Sequence, residues 1–149
     1  MKKIQHVWSI ICSGVSIDQT SNNVSLFNVI DKFAIPQKGL VKMTVKNGED
    51  KPAAPVKFNF LTLWRRLEEG GEINAEVMVE LFEPHGLMVQ RADYTINIAE
   101  KIKRLRSNVE WRGIRVTTPG TYVFKISIKE KGEKKYQKAG EIYLEIDFT

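Results

Sequence analysis

Cysteine is nearly absent from these 149 residues: Cys12 stands alone, so no internal disulfide can form. A chain without a staple suits a reducing compartment, and a cytoplasmic location is expected. Histidine is almost as scarce, with only His6 and His85. A protein metal site usually draws on three or four His, Cys or carboxylate ligands, so no metal and no cofactor is expected. No apolar run approaches the roughly 20 residues of a membrane-spanning helix, so no membrane partner is expected. A Gly-x-Ser-x-Gly elbow and a phosphate-cradling glycine loop are both missing. These absences remove the common hydrolase and nucleotide-binding signatures, and the chain is read as not an enzyme.

The chain begins Met1-Lys2-Lys3 and soon reaches Ile10-Ile11-Cys12. A secretory leader needs an unbroken apolar stretch of roughly 7–15 residues. Gln5, His6 and Ser9 interrupt this one, and Ile11 is not the small residue that precedes a lipoprotein cysteine. A first strand is expected there instead.

What the sequence does contain is alternation. In Thr121–Lys129, Tyr122, Phe124, Ile126 and Ile128 fall at every second position. In Glu141–Phe148, Ile142, Leu144, Ile146 and Phe148 do the same. Period two places one face in a core and the other in water. The same reading gives strands over Ile4–Cys12, Val24–Phe33, Val56–Arg66, Ile73–Glu83, Leu87–Ile98 and Val109–Val116. Ile4, His6, Trp8, Ile10 and Cys12 are expected on one face. Leu40–Val45 is a candidate extra strand, and Ala99–Leu105 a single helical turn. Asp18–Asn23, Glu69-Gly70-Gly71-Glu72, Pro84-His85-Gly86 and Lys131–Lys135 supply the turns. The expectation is a single domain, 1–149, all-β, a two-layer antiparallel sandwich of about eight strands. The strands near Ile4 and Val56 are apolar on both faces, as central strands covered on both sides would be.

Three stretches carry a family resemblance: Val24-Ser25-Leu26-Phe27-Asn28-Val29-Ile30, Val79-Glu80-Leu81-Phe82-Glu83-Pro84-His85-Gly86, and Pro119-Gly120-Thr121-Tyr122-Val123-Phe124-Lys125-Ile126. Together they resemble a family of small bacterial proteins classed as a domain of unknown function. That resemblance implies an immunoglobulin-like β-sandwich and says nothing about activity.

Few constellations could carry chemistry. His6 and Cys12 lie about 20 Å apart along one strand at ~3.3 Å per residue, too far to share a metal. Cys12 has no local base signature and reads as a buried apolar residue. Glu68, Glu69 and Glu72, and the pair Asp18 and Asp31, lack calcium-loop spacing and read as solvated turns. Trp8 and Trp64 sit in strongly apolar strands and read as core. Trp111, between Glu110 and Arg112, is the one tryptophan expected to be open to a sugar or small ligand.

Charge is the strongest asymmetry. The net charge is +5, and all of the excess lies beyond residue 99. Lys103, Arg104, Arg106, Arg112 and Arg115 form the candidate binding patch, and Lys129, Lys131, Lys134, Lys135 and Lys138 follow near the last hairpin. Such residues can neutralise phosphates, but they also guard exposed strand edges. The leading reading is a non-enzymatic interaction module that binds another protein or a copy of itself. Nucleic-acid or anionic-surface binding through residues 101–138, and carbohydrate or small-ligand binding, are the alternatives.

Overall fold

Alternation is realised as ten strands among the described residues, 2–44 and 50–149 of a computed structural model. They are β1 (Ile4–Ile17), β2 (Val24–Val29), β3 (Lys32–Ile35), β4 (Val41–Thr44), β5 (Asp50–Arg66), β6 (Ile73–Phe82), β7 (Met88–Ile98), β8 (Arg104–Arg115), β9 (Gly120–Glu130) and β10 (Gln137–Phe148). A short 3-10 turn at Gln37–Gly39 precedes β4. No helix is long and apolar enough to cross a membrane among the described residues.

Two sheets form the sandwich. In the first, β5 pairs β8 along one edge; along the other it pairs β4 through Asp50–Ala53 and β1 through Asn59–Arg66, with β2 outside β1. The second runs β3-β10-β9-β6-β7, with β3 parallel to β10 and the rest antiparallel. Their facing sides bury Phe58, Phe60, Trp64, Tyr122, Phe124, Val77 and Leu81. The strand near Val56, β5, is internal to its sheet, as the two-faced apolar pattern implies, whereas the first half of β1, near Ile4, pairs with β5 alone because β2 joins β1 only from Cys12 onward.

The strand count is ten rather than eight, for local reasons. Val24–Phe33 is interrupted at Ile30–Asp31, two residues beyond Asn28, whose φ of 52° lies in the left-handed region. β2 then stays in the first sheet while β3 joins the second. The extra strand expected over Leu40–Val45 is β4; Val45 itself lies outside the described residues. Ala99–Leu105 is not a helical turn. The Ile102 N–H bonds to the Ala99 carbonyl, Lys101 has φ 71°, and β8 starts at Arg104. Ser107 hid this strand, because it occupies a core-facing position that alternation reserves for an apolar residue. It is satisfied there by the Trp64 indole N–H at 3.2 Å and the Tyr94 hydroxyl at 3.3 Å.

A β-bulge at Val7 changes which side chains face the core. His6 pairs with Trp64, but Trp8 pairs with Leu63. A bulge adds one residue and reverses the facing of everything beyond it. Ile4 and His6 therefore point inward, Ser9 and Ile11 follow them, and Trp8, Ile10 and Cys12 turn to the outer side. This corrects the single face expected for Ile4 through Cys12.

Polar contacts fasten the sheets at their ends. The buried Glu130 carboxylate on β9 accepts the Lys3 N–H at 3.0 and 3.1 Å, tying the start of β1 to the other sheet. The Tyr122 hydroxyl donates to the Thr118 carbonyl at 2.7 Å and accepts the Thr117 N–H at 2.9 Å, fixing the corner into β9. Glu83 accepts the Leu87 N–H at 2.8 Å, and this bond holds its carboxyl below the usual range. Arg66 donates to six carbonyls, those of Glu68, Gly70, Gly71, Ile98, Ala99 and Ile102.

Candidate binding surface

Pairing between β1 and β5 ends at Cys12, and the rest of β1 continues with β2 as a two-stranded arm. The turn at its tip is built by Asp18, whose carboxylate accepts the N–H groups of Thr20 and Ser21 at 2.8 Å each. Those two bonds hold the carboxyl below its ordinary value. At the same tip, the Asn22 side-chain oxygen accepts a 3.1 Å hydrogen bond from Arg106 on β8. β1 and β5 lie between them in the sheet, so the arm must fold back across the outer face of the first sheet. Leu61 and Cys12 are buried on that face, outside the inter-sheet core.

Between arm and sheet lies a cleft of about 830 Å³. Its sheet side presents Trp8, Leu61 and Leu63; its arm side presents Val15, Ile17 and Val24. The rim is amide-rich, with Asn22, Asn23, Asn97 and Asn108, and among the described residues only Arg104 and Arg106 bring charge to it. In the register, Arg104 stands directly opposite Arg65, and Arg106 opposite Leu63.

The five residues of the expected patch do not converge. Lys103 and Arg104 are exposed at the start of β8, with Arg106 two residues on. Arg112 lies about 20 Å further along the strand, at ~3.3 Å per residue. It is paired at 2.5 Å with Glu110, which stands between the two groups and also meets Lys57 at 3.6 Å. Arg115 follows Gly113, whose φ is 86° and which stands opposite a bulge in β5 between Ala54 and Lys57. Its backbone N–H bonds to the Gln90 side-chain oxygen at 2.9 Å, and the Gln90 amide donates to the Gly113 carbonyl at 3.2 Å. Gln90 on β7 thus pairs part of the β8 edge as a neighbouring strand would. The lysines of the last hairpin belong to the other sheet. Lys129 pairs with Glu76 at 2.9 Å and lies over the Tyr136 ring, and Lys138 pairs with Glu141 at 2.5 Å.

Trp111 is not the open tryptophan. It is 4% exposed and packs against Phe58, Phe60 and Phe124. Trp64 is fully buried, whereas Trp8, expected in the core, is half-buried and lines the cleft.

His6 Nε2 lies 2.7 Å from Ser9 Oγ, a pairing that alternation could not predict because the bulge creates it. The geometry is that of a base and a hydroxyl nucleophile, but its surroundings are those of a core. Ser9 Oγ is also held by the buried Thr62 hydroxyl at 2.8 Å, and the His6 ring meets the edge of Trp64. Burial lowers the His6 pKa and raises that of the Cys12 thiol. His85 sits exposed in its turn. No group of three or more His, Cys, Asp or Glu side chains could hold a metal ion among the described residues. Sequence patterns missed the cleft altogether; its only trace was the two-sided apolar character of β1 and β5. No family model matches this chain, and no curated protein sequence does either.

Proposed function

We propose that this chain is a non-enzymatic interaction module of immunoglobulin-like type, which takes up a strand from a partner protein or from a second copy. The observation that carries the reading is the composition of the β2 edge. β8, the opposite edge of that sheet, bears Arg104, Arg106, Glu110, Arg112 and Arg115, and the β7 edge bears Arg91 and Asp93. Charges on an edge discourage a second strand from pairing. β2 bears no charge and no proline, and exposes Phe27 at 56% and Val29 at 59%. An uncharged apolar edge is the surface that strand addition uses. The Tyr122 corner and the parallel pairing of β3 with β10 support the immunoglobulin-like assignment, since a tyrosine hydroxyl returned to nearby backbone recurs at such corners.

Light scattering at rising concentration, with Phe27→Lys/Val29→Lys as control, tests this. The expected result is a mass above 17.1 kDa, or a protein retained from host extract, in either case lost in the variant. A wild type that stays monomeric and retains nothing the variant loses would overturn it. The nucleic-acid alternative has less support, because Arg104 and Arg106 stand far from Arg112, and Arg112 is already paired.

A further inference from the structure

We infer that the cleft between the folded-back arm and the outer face of the first sheet binds an extended peptide that alternates apolar and acidic side chains. This rests on the interaction-module reading and adds the chemistry of a partner, but it does not depend on the β2 edge.

Three features of the cleft converge on that occupant. The first is charge. Arg65 and Arg104 face each other across the β5–β8 pair, and like charges directly opposite are destabilising. Neither has a hydrogen-bond or ion-pair partner among the described residues, although Glu68 and Glu69 lie in the adjoining loop. Arg104 and Arg106 both line one end of the cleft, where no carboxylate does among the described residues, and Arg65 stands beside Arg104 just outside it. An acidic side chain there would relieve the repulsion and gain charge-assisted, two-pronged hydrogen bonds.

The second feature is the floor. Trp8, Leu61 and Leu63 on one wall and Ile17 on the other offer apolar surface on both sides of a bound chain. A strand places alternate side chains on opposite faces, so alternation of leucine-like and acidic residues fits a cleft with apolar walls and a cationic end. The third is the rim. Asparagine side chains both donate and accept hydrogen bonds, so Asn23 and Asn108, whose side-chain amides have no partner among the described residues, match the groups of a peptide main chain, while Asn22 and Asn97 are held by Arg106 and Asn74. A nucleic-acid strand is a poorer match, since such sites add aromatic platforms for base stacking and Trp8 is the only aromatic side chain lining the cleft among the described residues.

Trp8 provides the readout, because Trp64 and Trp111 are buried in the core. The wild type is titrated at low salt with a short, end-blocked peptide alternating leucine and glutamate. A leucine–lysine counterpart and an oligothymidylate are titrated alongside. The acidic peptide is expected to change Trp8 fluorescence saturably. Arg104→Gln/Arg106→Gln should weaken binding about tenfold or more, the scale of losing one charged hydrogen bond. Ile17→Asp, an exposed change on the arm, should weaken it as well, while Phe27→Lys should leave it intact. Tighter binding of the lysine peptide or of oligothymidylate would overturn the assignment, as would no response to any probe. If the acidic peptide fails to bind while the Phe27 variants still alter association, the cleft assignment fails and the interaction-module reading stands. If both fail, both readings fall.

Discussion

The imidazole of His6 rests on Gly140, so that a Cβ at residue 140 would come within 2.8 Å of its Cε1. The two residues belong to different sheets, β1 and β10, and the ring cannot yield. Ser9 holds one nitrogen and Trp64 meets the ring edge-on. Gly140→Ala is therefore expected to cost about 1–3 kcal/mol, the usual scale of overpacking a filled core. Urea denaturation would show it as a lowered midpoint at unchanged slope. An alanine variant as stable as the wild type would mean the sheets can separate freely here.

The same histidine makes stability depend on pH. Burial lowers its folded pKa below the ordinary 6.5, so it stays neutral in the native state where the unfolded chain would take up a proton. Its contribution is constant above about pH 6.5 and is lost as pH falls through that value towards the folded pKa. The slope is at most about 1.4 kcal/mol per pH unit for one proton. Carboxylates with lowered pKa values, such as Glu83 and Asp18, act only at lower pH. Comparing urea midpoints at pH 8 and 5.5 should show the loss in the wild type and little of it in His6→Gln. Equal pH dependence in both would assign the effect elsewhere.

Arg66 is expected to be irreplaceable by lysine. Its planar fork reaches carbonyls on two loops, 67–71 and 98–102, whereas an ammonium is a single point with three donors. Arg66→Lys should cost on the order of 2 kcal/mol, the scale of a charged hydrogen-bond network. Hydrogen exchange should quicken at the amides of Arg66, Leu67 and Ile102. Unchanged exchange there would show that the loops hold themselves.

Removing one oxygen from Tyr122 should also be felt. Tyr122→Phe leaves the Thr117 N–H and the Thr118 carbonyl without their partner, and a loss of about 1–2 kcal/mol is expected. Exposure of the corner to water sets the lower end of that range. A thermal melt identical to wild type would reduce the corner to ornament.

Cys12 should be inert in the native protein. It is fully buried and its thiol pKa is raised by that burial. A thiol reagent at pH 8 should label it only as fast as the arm or the whole domain opens, and immediately in urea. Prompt labelling of the native chain would show that the arm lifts away from the sheet.

Much of the architecture was legible because burial on one side of a strand leaves a period of two. Tyr122, Phe124, Ile126 and Ile128 announced β9, and Trp64 announced its burial. The pattern failed where one residue broke the period. Val7 inserted a bulge that reversed Trp8 and brought His6 to Ser9; Ser107 put a hydroxyl where a core residue was expected. The binding surface was illegible for a different reason. Arg106 and Asn22 are 84 residues apart in sequence, and only the folded-back arm joins them. The basic residues were visible as charges, but their division by Glu110 depends on which face of β8 each one takes.

The long strand β5 has one more consequence, for the time course of synthesis. Its neighbours come from both ends of the chain, β1 from before it and β8 from well after it. Phe58 and Phe60 meet Phe124 only once β9 exists. A ribosome-bound fragment ending near residue 99 would hold β5 with one edge open and its aromatic face without Trp111 and Phe124. Non-local pairing of this kind closes slowly, and it leaves the nascent chain dependent on its last third to become insensitive to neighbours.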